Sequence, residues 1–508
     1  MSKAISLLVL IKSMSKAEKR YFRLYSNLQS GEKGYMSLYL LMENKEEVED
    51  IQKLFTVENP GVNFEVAVKH LNHTILDCIV HLRKKQDIQG RIFNHVACSE
   101  ILFERGLVDD AFAELRNARK LAETYEFDLL CMLIRRKELK FMSSIDFAGI
   151  TEKRLVDKQM KLNELLKYTR NVNQHIQLYD IIRYRLTYNG LARSDRQKQH
   201  LNDLVLSELN LASNTPYKTF ETEKLHLLFQ ATYFLNSGNY KTALRFYQEL
   251  IDLFEENKHL MLNPPIHYFN ALKGILDSLQ SAKLYTEMPY FIKKVREIES
   301  MDYPQDFLLN VHIFSYLSEF SYYFQTGDIE SARQLRREYE ESMSKRTTVL
   351  NLQLQLQLNL NATILALALG DPKEARKGMK KILGAGKVLH NFPDYKVARL
   401  INLLVQAELG NYDYLENETN SLKRNIAAEK NIYQYRTEKL LFKFIKFLPL
   451  SKDTGVNMNI WSTFQKDIEI INQNIYERPL LKTFDFVTWI ESKLTGRSFM
   501  TIVSNANL

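Results

Sequence analysis

The chain has 508 residues, with 69 Lys and Arg against 61 Asp and Glu and a formal net charge of +8. Only 17 Gly and 10 Pro leave too few breakers for the tight turns of a sheet protein or for a flexible linker, so helix is expected nearly throughout. Cys78, Cys98 and Cys131 form no CxxC pair, which excludes the adjacent-cysteine motifs of zinc and redox chemistry and fits a reducing compartment.

The chain opens on an apolar run from Ala4 to Ile11, broken only by Ser6 and flanked by Lys3 and Lys12. The run is too short to span a bilayer and lacks a small-residue cleavage site, so a cytoplasmic protein with no membrane partner is expected. Ser15 and Glu18 stand at capping-box spacing at the start of KAEKRYFRLYSNL. Further helices are expected over Tyr35 to Met42, Glu46 to Phe55 and Glu65 to Lys85, the last preceded by an Asn59-Pro60-Gly61 turn. Residues 1–90 read as a separate helical cap, with a helix-turn-helix-like DNA-binding unit as the alternative. Their 13 Lys or Arg against 11 Asp or Glu give DNA little support.

Within the fourth of these helices, His70, His73, Asp77 and His81 fall in an arc of about 80°. Imidazole and carboxylate at one-turn spacing are capable zinc ligands, but one straight helix hardly offers all four to one ion. Leu71, Ile75, Cys78 and Leu82 make the opposite, apolar face, so a polar helix face and no metal are expected.

From residue 91 the chain repeats. A glycine is followed five residues later by an alanine at Gly106 and Ala111, Gly238 and Ala243, Gly327 and Ala332, and Gly370 and Ala375. Glycine ends a helix in the left-handed conformation without a Cβ clash, and a small alanine one turn into the next helix lets the two approach closely. Further turns fall at Lys283 and Gly410, and from Gly238 the steps are 45, 44, 43 and 40 residues. Ala148-Gly149 and Asn189-Gly190 fill the gap between Gly106 and Gly238, giving about eight hairpins over residues 91–430. Met288 and Leu415 replace the small alanine, so looser packing is expected in those two hairpins.

The segment LLFQATYFLNSGNYKTALRFYQEL resembles a tetratricopeptide repeat, with Ala231, Phe234, Gly238, Tyr240, Ala243 and Tyr247 in the expected places. The step of 40 to 45 residues exceeds the standard unit of about 34, which implies extended helices. Through SKAEKRYFRLYS and ARLINLLVQAELGNYDYLE the chain also resembles a bacterial group of tetratricopeptide-like proteins, a likeness that implies a fold and no activity. The fold class expected is all-α, a right-handed α-solenoid capped by helices at both ends.

In NLQLQLQLNLN, residues 351–361, leucine at every second position imitates a strand. Its place in the seventh hairpin, its good helix formers and its lack of β-branched residues predict helix instead. Residues 431–508 read as a C-terminal cap, with helices over Ile432 to Leu448, Trp461 to Tyr476 and Leu481 to Leu494, then a tail without periodicity from Thr495.

Two places could receive a partner. Residues 135–198 hold 15 Lys or Arg against 7 Asp or Glu, an excess of +8 that equals that of the entire chain. Arg135, Arg136, Lys140, Arg183 and Arg185 lie on the first helices of hairpins two and three, with Tyr179, Tyr184 and Tyr188 interleaved, a pattern suited to an acidic protein partner or to nucleic acid. The tetratricopeptide register also implies groove-facing positions that include Asn270, Lys273, Asp277 and Gln280. No HExxH, GxSxG, GxGxxG or complete phosphate loop occurs. The reading is therefore a non-enzymatic protein-interaction scaffold without a cofactor, with a nucleic-acid-binding regulator and an unrecognised enzyme as alternatives.

Overall fold

A computed structural model describes residues 3–28, 34–45, 47–189, 195–214, 218–261, 265–301, 303–343, 352–386, 389, 392–428, 435–474 and 476–507. Among these residues there are helices and turns but no strand. The first helices are α1 (Lys3–Ser13), α2 (Lys16–Leu28), α3 (Gly34–Asn44), α4 (Val48–Glu58), α5 (Phe64–Gln86), α6 (Ile88–Glu104), α7 (Val108–Thr124), α8 (Asp128–Ser144), α9 (Glu152–Asn189) and α10 (Asp195–Asn214). They are followed by α11 (Phe220–Asn236), α12 (Tyr240–Glu256), α13 (Ile266–Ser281), α14 (Met288–Glu299), α15 (Gln305–Thr326), α16 (Ile329–Met343), α17 (Leu352–Ala368), α18 (Pro372–Leu383), α19 (Pro393–Glu408) and α20 (Tyr412–Ala428). The last are α21 (Arg436–Ile445), α22 (Thr454–Gln473), α23 (Arg478–Thr483), α24 (Phe486–Thr495) and α25 (Phe499–Asn507). The chain forms two compact units, one built chiefly from Met1–Val172 and the other from Asn173–Met261, Pro265–Met301 and Asn310–Leu508.

In the first unit, α1 to α5 close around Leu7, Ile11, Phe22, Tyr39, Phe55, Leu71 and Cys78. Ser15 and Glu18 make the reciprocal cap: the Ser15 amide donates to Glu18 Oε2 at 2.8 Å, and the Glu18 amide to Ser15 Oγ at 3.1 Å. A second core joins α6, α7 and α8 through Ile92, Ala111, Leu115, Ile134 and Phe141, with the rings of Phe103 and Phe141 stacked at 4.0 Å.

The glycine turns are built as their chemistry requires. Gly106, Gly238, Gly327, Gly370 and Gly410 have φ between 73° and 82°, and Lys283 adopts the same region at 57°. At each of these six turns the amide after the turn residue donates to the carbonyl five residues before it, as from Leu107 to Leu102 and from Leu284 to Leu279, both at 2.9 Å. That bond satisfies a carbonyl the helix end would otherwise leave open. Ala111, Ala243, Ala332 and Ala375 are all fully buried in the seams. The helices of α6/α7, α11/α12 and α17/α18 stay backbone-close over much of their length.

Several boundaries differ from the sequence reading. The second helix of hairpin two and the first of hairpin three are one helix of 38 residues, α9. No Gly or Pro lies between Glu152 and Asn189, so nothing in that stretch ends it. Gly149 is left-handed at 74°, while Gly190 lies outside the described residues. Leu481 to Leu494 is not continuous but breaks between α23 and α24, where the Asp485 carboxylate caps the Thr488 amide at 3.0 Å. The tail is helical: Phe499 and Val503, one turn apart, are buried, and the Phe499 ring stacks on Phe484 at 5.3 Å. Burying such side chains contributes roughly 1.5–3 kcal/mol each, enough to order a short terminal helix against the core. The leucine-glutamine run is helix, with Leu356 and Leu360 buried and Leu352 exposed.

Candidate functional site

The basic stretch divides between the two units. Arg136 and Lys140 are exposed on α8 in the first. Around them much of the positive charge is internally compensated. Arg135 meets Glu123 at 2.7 Å, Lys137 meets Glu100, and the buried Glu138 accepts from Arg119 at 2.8 Å and Lys158 at 3.2 Å. Glu138 thereby ties α7, α8 and α9 together, and these cations serve packing.

In the second unit the outcome is different. Tyr179 is 6% exposed, its phenol pKa raised by burial, and the Arg183 guanidinium rests 5.7 Å above its ring. Tyr184 is 66% exposed, Arg185 is half-buried, and the Tyr188 side chain lies outside the described residues. Lys273 projects from α13 with Nζ 5.7 Å from the Phe269 ring centre and 5.3 Å from that of Phe314 on α15. Burial pushes its ammonium below the usual lysine range, the Arg183 charge pushes the same way, and Asp277 opposes both. The structure thus brings Arg183 and Lys273 into electrostatic reach of one another across α9 and α13.

Asp277, one turn beyond Lys273, is already engaged. Its Oδ1 accepts from Lys482 Nζ of α23 at 2.8 Å, a contact spanning 205 positions of sequence. Leu480 and Phe484, on either side of Lys482, belong to the main core, so α23 is fixed in place. Asp394 of α19 accepts from Gln357 of α17 at 3.1 Å and has its pKa raised by burial; that hydrogen bond opposes the shift, Asp277 adds to it and Lys482 acts against it. Lys482 thus meets Asp277 directly and also acts on Asp394.

Neither Lys273 nor Arg183 has a carboxylate within ion-pair distance among the described residues. His267, one and a half turns before Lys273, is held neutral: burial lowers its pKa to about 4, with Lys224 and Arg183 adding to the effect and Glu221 opposing it. Its Nδ1 is buried without a hydrogen-bond partner. Two cations leaning on aromatic rings, beside an imidazole that avoids a third positive charge, make a locus of positive potential. His267 escaped sequence reasoning, because a lone histidine carries no spacing signal; its burial and its cationic neighbours mark it.

The histidine face of α5 is solvent-facing. His73 Nε2 lies 3.4 Å from Asp77, while the His70 and His81 rings lie 5.1 and 6.3 Å from those of Tyr35 and Tyr25. Among the described residues no three His, Cys, Asp or Glu side chains converge as a metal site would require, and no helix is long and apolar enough to cross a membrane. No family model, curated protein or solved structure matches this chain.

Proposed function

We propose that this chain is a non-enzymatic interaction scaffold of the tetratricopeptide-like kind, a right-handed solenoid of about eight hairpins with helical caps. It acts in the cytoplasm and holds a segment of a protein partner. The Arg183 and Lys273 cluster receives an acidic group of that segment, with Tyr184 and Arg185 beside it. The observation that carries this reading is the pairing of Lys273 with two aromatic rings, Phe269 and Phe314, while its neighbouring carboxylate, Asp277, is taken by Lys482. A desolvated ammonium without an ion-pair partner is costly, and an incoming carboxylate would relieve that cost. The turn geometry at Gly238, Lys283, Gly327, Gly370 and Gly410, at steps of 45 to 40 residues, supports the repeat.

The test is affinity capture by the tagged full chain from its native lysate, with and without nuclease, comparing wild type with Arg183→Glu and Lys273→Met. The expected outcome is one or two proteins recovered in stoichiometric amount, insensitive to nuclease, and lost by about tenfold or more in both variants. Equal recovery by the variants would remove the cluster from the interface. Recovery abolished by nuclease would replace the reading with nucleic-acid binding.

A further inference from the structure

A second surface, in the first unit, is independent of the Arg183 and Lys273 cluster. A shallow cleft there is lined by Lys16, Lys19, Arg20, Arg23, Leu24 and Glu43. The four cations recur at one-turn spacing on α2, while Tyr21, Phe22 and Tyr25 of the same helix pack into the core. Glu43, from α3, compensates part of this charge, lying 2.7 Å from Arg23 Nη2 and 3.5 Å from Lys19 Nζ. Lys12 adds another cation by donating to the Glu43 backbone carbonyl at 2.9 Å. The sole acidic residue of α2, Glu18, is committed to the helix cap with Ser15. Lys16 and Arg20 are exposed and have no carboxylate within ion-pair distance among the described residues.

An apolar side chain stands among these charges: Leu24 is 57% exposed at the cleft, and Leu40, three residues before Glu43 on α3, is 47% exposed. We propose that this cleft docks an acidic segment of a partner protein in which carboxylates flank an apolar side chain, the carboxylates meeting Lys16 and Arg20 and the apolar group covering Leu24. Charge complementarity selects an acidic occupant, and the exposed leucine narrows it to a peptide. A phosphodiester backbone would leave Leu24 uncovered. The near balance of 13 Lys or Arg against 11 Asp or Glu over residues 1–90 also lacks the broad basic field a duplex requires. An anionic bilayer would need the apolar face of α2, which the core already uses.

The test is fluorescence anisotropy of a labelled peptide of repeated Glu-Glu-Leu triplets titrated with the full chain at low and moderate salt. A poly-Glu peptide and a random-sequence DNA duplex serve as comparison probes. The Glu-Glu-Leu peptide is expected to bind more tightly than poly-Glu or the duplex. The double variant Lys16→Glu with Arg20→Glu should weaken it about tenfold, and Leu24→Ser about threefold. Lys53→Glu, a reversal of an exposed charge on α4 outside the cleft, should leave it unchanged, which separates a local contact from an effect of net charge. All three sites are exposed, and the charge-neutral pair Lys16→Gln with Arg20→Gln repeats the test should the reversal alter the helical circular dichroism. Absence of peptide binding, binding indifferent to these substitutions, or tighter binding of the duplex with loss on charge reversal would each overturn the proposal.

Discussion

Lys273 and His267 show how one environment acts on two kinds of base. Burial lowers the proton affinity of both, and the Arg183 charge works in the same direction on each. For His267 this has a stability consequence whose sign is fixed. Its folded pKa, about 4, lies below the unfolded value of 6.5, so the stability it contributes is fully present above pH 6.5 and declines as pH falls from 6.5 toward 4. The size is up to about 3 kcal/mol. His226 has the opposite sign, because its hydrogen bond to the buried Glu208 raises its pKa; its contribution is present below 6.5 and lost as pH rises through the raised value. The informative quantity is therefore the difference between wild type and His267→Gln. Urea unfolding is expected to show wild type losing stability relative to the variant as pH falls from 6.5 to 4, and a constant difference would contradict the assignment. The cysteines offer a simpler check. Burial pushes the thiol pKa of Cys78 up to about 11 and that of Cys131 to about 12, so neither supplies thiolate near neutrality. A native thiol assay is expected to label Cys98 alone, with the other two reacting only on unfolding.

At the scale of helices and turns, the left-handed turns were legible because glycine and alanine recur at fixed spacing, and that spacing located Lys283 where composition gave no hint. The same logic missed Glu126, Asp146 and Phe147, which are also left-handed, with φ of 50° to 56°, because non-glycine residues in that region leave no sequence mark. It missed two glycines that matter for another reason. Gly274 lies on α13 so close to α12 that a Cβ would stand 2.0 Å from the Tyr247 ring, and one at Gly378 would stand 2.3 Å from Thr363 Oγ1. Gly274→Ala is expected to destabilise by about 1–3 kcal/mol in denaturant unfolding, through overpacking. Gly370→Ala meets nothing within 4 Å, so its expected cost of about 1–2 kcal/mol is backbone strain alone. Lys283→Gly should stabilise by about 1 kcal/mol through relief of the same strain. A destabilised Lys283→Gly would mean that the lysine side chain holds the turn in some other way. The cluster itself was half legible: the register pointed to Lys273 and Asp277, but the pairing of Asp277 with Lys482, 205 positions away, depends on tertiary packing that no local pattern encodes.

Across the molecule, charge that looks concentrated in sequence is redistributed by folding. The excess of +8 over residues 135–198 divides between two units. In the first, Glu123, Glu100 and Glu138 pair with Arg135, Lys137 and Lys158, while Arg136 and Lys140 are exposed. In the second, Arg183 and Lys273 remain without carboxylate partners among the described residues and rest on aromatic rings. The basic cleft on α2 escaped the charge count because the acidic run from Glu43 to Asp50 cancels it in the total for residues 1–90. The measurement that bears most directly on the interaction reading is hydrogen exchange of the captured complex against the free full chain. New protection is expected in the peptides that carry Arg183 on α9 and Lys273 on α13. Exchange unchanged in both peptides while the partner remains bound would contradict it.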